Sequence, residues 1–160
     1  SITLELTRKQ SIRLGHDGVA EELDAMGARA PTPHDVYQAV CKLRRQKLPD
    51  PEVLPNAGSF FKNPYVTDER HFELASEYPD LPAYFEGLDY VKLAAGWLIE
   101  RCGFKGKRFG PVGVHDRQAL VLVNHGGATA ADFLNAARQI QKAVRERFGL
   151  ELEMEPRIWD

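Results

Sequence analysis

Cysteine is scarce: Cys41 and Cys102 are the only two in 160 residues, far apart and without paired spacing. That excludes a disulfide framework and a cysteine zinc site, and it predicts reduced, buried thiols in the cytoplasm. No window approaches the roughly 18 consecutive apolar residues of a membrane span, and no signal-peptide pattern opens the chain. Neither sign of charge dominates. With 21 Lys and Arg against 23 Asp and Glu, the net charge of −2 supplies no global field for nucleic acid or an anionic membrane. The five histidines show no metal-ligand spacing, and no H-x-x-x-H pair occurs. What is present is 43% apolar and 28% charged residues, the balance of a globular protein. A domain of this size buries about 68–70% of its unfolded surface and needs no metal or disulfide to hold a core.

Ile2, Leu4 and Leu6 alternate with Thr3, Glu5 and Thr7, which predicts a half-buried strand. A strand needs neighbours, so the chain reads as part of a longer protein. A short helix is expected from Asp17 to Met26, stopped at Gly27. Thr32-Pro33-His34-Asp35 is a helix start, with a capping hydroxyl, Pro at the first helical position and an acid in the first turn. Val36, Ala39, Val40 and Leu43 keep helical spacing. Lys42, Arg44, Arg45 and Lys47 crowd the last turns, where cations complement the helix dipole. Pro49 and Pro51 end the helix. A domain boundary is placed here, with residues 1–47 as the end of one domain and 48–160 as a second.

In the second part, Thr67 caps a helix to about Glu77, and Tyr78 to Tyr90 reads as an aromatic loop. Val91 to Cys102 has a helical stripe stopped at Gly103, and Val112–Val114 and Ala119–Val123 read as strands. Thr129 caps the longest helix, with Phe133, Ala137, Ile140, Val144 and Phe148 on one face and Gly149 as its stop. Leu150, Leu152 and Met154 alternate with glutamates in a last strand. Helices and strands without regular βαβ repetition predict an α+β fold, a small mixed sheet with packed helices.

The most unusual stretch is Asn56 to Pro64, which joins Gly58, Ser59, Phe60, Phe61, Lys62 and an Asn63-Pro64 turn. Composition alone allows a strand with a phenylalanine in the core, or a ligand site where Gly58 lets backbone come close and Ser59, Lys62 and Asn63 donate. A serine hydrolase fits poorly, because no G-x-S-x-G elbow surrounds Ser59. His125-Gly126-Gly127-Ala128-Thr129 reads as a plain loop and cap.

Gly58-Ser59-Phe60-Phe61-Lys62-Asn63-Pro64 resembles the signature of the UDP-N-acetylenolpyruvoylglucosamine reductases. Lys47-Leu48-Pro49-Asp50-Pro51, Lys92 to Ile99, Gln118 to Asn124 and Leu152 to Arg157 follow the family order over essentially the whole chain. The resemblance implies the C-terminal, substrate-binding domain of that family, preceded by a remnant of its FAD-binding domain. It implies that FAD, reduced by NADPH, passes hydride to the enolpyruvyl double bond of UDP-N-acetylglucosamine enolpyruvate in peptidoglycan synthesis. Ser59 matches the proton donor and Glu155 the catalytic carboxylate; Lys47, Asn63, Tyr84, Lys105 and Gln118 match substrate-binding positions. Each has a plainer reading in the pattern: Lys47 as a helix-end cation, Lys105 in a solvated turn, Asn63 as a turn initiator. Gln118 reads equally as a surface residue and Glu155 as an exposed glutamate on an acidic strand face. After Tyr84 the family's Pro-Gln-Ala-Asp-Gly is replaced by Phe85-Glu86-Gly87-Leu88-Asp89. The expected protein is a cytoplasmic monomer with no resident metal and no nucleic-acid or membrane partner, with FAD held mainly upstream of these residues. The rival reading is a stand-alone UDP-sugar-binding module without redox chemistry.

Overall fold

The computed structural model describes residues 2–5, 12, 14, 18–85, 87 and 90–158. They fall into two compact units, Ser1–Leu48 and Pro49–Asp160.

The first unit is a pair of helices, α1 (Val19–Ala25) and α2 (Pro33–Lys47). A complete capping box starts α2: Asp35 N–H donates to Thr32 Oγ1 at 3.3 Å, and Thr32 N–H donates to Asp35 Oδ2 at 2.7 Å. Val19, Leu23 and Ala39 are buried between the helices, with Val36, Val40 and Leu43 packed around them. The expected opening strand is not formed among the described residues. Residues 2–5 carry no secondary structure and Ile2 and Leu4 are exposed, while Leu6 and Thr7 lie outside the described residues. Alternation is only half of a strand; the other half is a hydrogen-bonded neighbour, and no described residue pairs with this segment. Asp17, the expected start of α1, also lies outside the described residues.

The second unit is α+β. One antiparallel sheet has the order β1 (Asn56–Ser59), β7 (Val121–Asn124), β6 (Val112–Val114), β5 (Arg108–Phe109). The other places β4 (Tyr90–Leu93) between β2 (Tyr65–Thr67) and β3 (Ala83–Phe85), again antiparallel. The helices are α3 (Asp68–Glu77), α4 (Ala95–Arg101) and α5 (Ala130–Phe148). Ala136, Ala137, Ile140, Val144 and Phe148 of α5 are buried in the core, which α4 and the sheets share. Thr129 and Asp132 form a second capping box, and Gly149 closes the helix in the left-handed region at φ 66°.

Four expectations for these elements and for the cysteines need correction. Tyr78–Tyr90 is not all loop, since Ala83–Phe85 is strand β3, opposite Val91–Leu93. Nor is Val91–Cys102 one helix: it is β4 followed by α4. Val91 and Leu93 are fully buried while Tyr90 is exposed, a period of two that the helical spacing of Val91, Ala94, Ala95 and Leu98 masked. Finally, the expected last strand is reduced to a single bridge, Phe61 to Met154. Leu150 and Leu152 are buried as anticipated, but they point into the core without a strand partner. Both cysteines are free and half-buried instead of buried.

Candidate functional site

The stretch from Asn56 to Asn63 is an irregular edge. The register of β1 against β7 shifts between Asn56 and Ser59, and inside the shift Gly58 has φ +74°. A side chain at that position would be strained, and the space around it is open, with no atom within 4 Å of an added Cβ. Gly58 N–H donates to Asn56 Oδ1 at 3.0 Å, which fixes the bend. Beyond the bulge Ser59 is exposed, whereas Phe60 and Phe61 are both buried, edge to face with centroids 5.5 Å apart. The core reading of the stretch holds for both phenylalanines, while Ser59, between bulge and core, is exposed.

Phe60 is held on both sides. Its N–H donates to Leu120 O at 2.8 Å, and its carbonyl accepts the N–H of Glu155 at 3.0 Å. Lys62 N–H donates to Glu153 O at 2.9 Å, and their side chains form an ion pair. This antiparallel ladder sets Glu155 opposite Phe60, so Ser59 and Glu155 occupy adjoining positions of neighbouring segments. Glu155 is exposed and Met154 half-buried, as alternation requires.

Asn63 and Gln118 converge on the start of α4. Asn63 Oδ1 accepts the N–H of Ala95 at 3.0 Å, the cap that Ala94 has no side chain to supply. Gln118 Oε1 accepts the Leu120 N–H at 3.4 Å and lies 3.3 Å from where a Cβ on Gly96 would stand. Gly96 is thus a close-approach glycine. Elsewhere, Tyr84 lies in β3 opposite Lys92, whose Nζ is 5.7 Å from the ring centroid. Glu86, Leu88 and Asp89 of the segment that follows are outside the described residues. Lys105 is exposed and its Nζ donates to both carboxylate oxygens of Glu100, at 2.9 and 3.0 Å. Lys47 ends α2 in the first unit and is exposed.

A groove of about 470 Å³ runs beside β1, lined by Asn56, Ala57, Phe60, Asn124, Phe133 and Arg157 among others. Its walls are mostly apolar. Arg157 and Lys92 are the cations that pattern reasoning passed over. Arg157 stands two residues beyond Glu155, past a bend at Pro156, and lines the groove. Lys92 could be found only from the register that puts it across from Tyr84.

The family model for the UDP-N-acetylenolpyruvoylglucosamine reductase C-terminal domain matches residues 49–159. The UDP-N-acetylenolpyruvoylglucosamine reductase of Chromobacterium violaceum is 52% identical over 158 residues, covering 99% of this chain and 46% of its own length. That of Burkholderia ambifaria is 54% identical, covering 98% and 45%, and that of Pseudomonas aeruginosa is 51% identical, covering 99% and 47%. The chain thus spans about half the length of the curated relatives it matches. From its second unit to its capped helices, this chain belongs to the UDP-N-acetylenolpyruvoylglucosamine reductase family, with residues 49–159 as the C-terminal domain.

Proposed function

We propose that this chain is the substrate-binding part of a flavoenzyme that reduces UDP-N-acetylglucosamine enolpyruvate to UDP-N-acetylmuramate in peptidoglycan synthesis. Residues 1–47 are read as the end of its flavin domain, which lies mainly outside this chain. Bound there and reduced by NADPH, FAD supplies the hydride. The open backbone at Gly58 suits the approach of a flat ring, since no side chain stands over it.

Hydride addition to one carbon of the enolpyruvyl double bond leaves negative charge on its neighbour, which must then take a proton. A serine hydroxyl is too weak an acid to protonate most groups near pH 7, but a carbanion beside a carboxylate is basic enough to take its proton. Ser59 is the donor and Glu155 the carboxyl group serving the same intermediate. Asn63 and Gln118 offer amides, and Lys105, Lys47 and Tyr84 bind the rest of the UDP-sugar. The observation that supports this reading is the ladder at Phe60, where Glu155 is paired one residue away from Ser59 and both residues are exposed.

The test is Ser59→Ala in the full-length protein. Reduction of the flavin by NADPH is retained, and the following half-reaction with the UDP-sugar slows by about 10²–10⁴-fold. If both half-reactions fall together, Ser59 is structural and the assignment is wrong.

A further inference from the structure

His115 is the only buried polar or charged residue among the described residues, with 5% of its surface exposed. It follows β6, and its backbone N–H closes the turn to β7 by donating to Val121 O at 2.9 Å. Two further bonds shape that turn from within. Arg117 N–H donates to His115 Nδ1 at 3.4 Å, and Val121 N–H donates to Gln118 O at 3.0 Å. The ring thereby holds the residue just before Gln118.

The partners define the state of the ring. A backbone N–H can only donate, so Nδ1 carries no hydrogen. Nε2 lies 3.4 Å from Asp116 Oδ1, which can only accept. A neutral imidazole with its hydrogen on Nε2 suits both neighbours. Burial favours the same state, holding the ring's pKa below the ordinary histidine value against the opposing pull of Asp116.

We propose that His115 is a positioning residue for Gln118: its bare Nδ1 pins the 115–118 turn and so sets where the Gln118 amide stands for the UDP-sugar. The proposal rests on the reading of Gln118 as a substrate contact. An imidazole that only filled space would tolerate any isosteric replacement, whereas a pinning acceptor makes the position of one atom matter.

Asn and Gln separate these cases, because Asn Oδ1 reaches about where Nδ1 stands and Gln Oε1 about where Nε2 stands. In the full-length flavoprotein, H115N keeps the KM for the UDP-sugar near that of the parent. H115Q raises it by up to about tenfold, the loss expected for one hydrogen bond, with kcat little changed. The Q118A substitution raises KM by itself, and adding H115Q to it gives no further rise. If Q118A leaves KM unchanged, the substrate reading of Gln118 fails and takes the proposal with it. If Q118A raises KM while H115Q is silent, or the two effects multiply, or H115N is as impaired as H115Q, the positioning role alone is overturned. The ¹⁵N spectrum of the unsubstituted protein tests it without any variant: His115 shows the Nε2–H tautomer at pH 7, and an Nδ1–H signal refutes the pin.

Discussion

Asn63 joins two roles that substitution can separate. Its Oδ1 caps α4 through Ala95 N–H at 3.0 Å in a part-buried setting, while its amide nitrogen is proposed to meet the substrate. Asn63→Ala removes the acceptor and leaves a helix N–H without its partner, a change worth about 1 kcal/mol. In a chain of this size that lowers Tm by about 2–4 °C. Asn63→Asp keeps the acceptor and adds negative charge at a helix N-terminus, which is favourable by about 0.3–1 kcal/mol. Its stability should therefore match or exceed that of the parent. Binding runs the other way, because a carboxylate repels the diphosphate of the UDP-sugar and has lost the amide donor. The expected order is parent and Asp above Ala in melting temperature, but parent and Ala above Asp in affinity. Thermal melts, with titration of the full-length protein, measure both. Should Asp melt as low as Ala, the cap is not what Asn63 contributes, and the argument from that hydrogen bond fails.

Other expectations follow from single contacts. Thr129→Ala should cost about 1 kcal/mol by denaturant titration, because it removes the acceptor for Asp132 N–H at the head of α5. The side-chain bond from Thr129 holds the Asp132 carboxyl below its ordinary value of 3.8, so its contribution is complete above that pH and is lost as pH falls through the lower folded value. Thr129→Ala should flatten that part of the acid-unfolding curve, and an unchanged curve would contradict the assignment. Phe61→Ala should cost about 3–5 kcal/mol, since the ring is 99% buried and packs edge-on to Phe60. A loss below 1 kcal/mol would mean that the core does not close on it. Purified alone, this chain should not hold flavin at one-to-one stoichiometry, and a yellow preparation with that absorbance would contradict the placement of the FAD site upstream.

Much of the architecture was legible because its signals are local. Caps at Thr32, Thr67 and Thr129 and the stop at Gly149 depend only on residues within a turn, and each stands where the pattern put it. The family was legible for a related reason: ordered blocks of residues survive in the chain whatever the fold does with them. Where the pattern failed, two periods overlapped or a neighbour decided. Val91–Leu93 satisfied helix and strand spacing together until β2 and β3 supplied partners on both sides. Residues 2–5 alternated correctly but had no partner among the described residues.

The site divides along the same line. The amino-acid sequence determined which side chains are available: a hydroxyl after a glycine at Ser59, a run of glutamates near the end that includes Glu155, and amides at Asn63 and Gln118. Its pattern contained nothing to say that Glu155 is bonded to Phe60, next in the chain to Ser59, that Asn63 is engaged by a helix end, or that His115 is buried in the turn of Gln118. Those are consequences of hydrogen bonds between segments remote in the chain, and only the folded backbone chooses which remote segments meet.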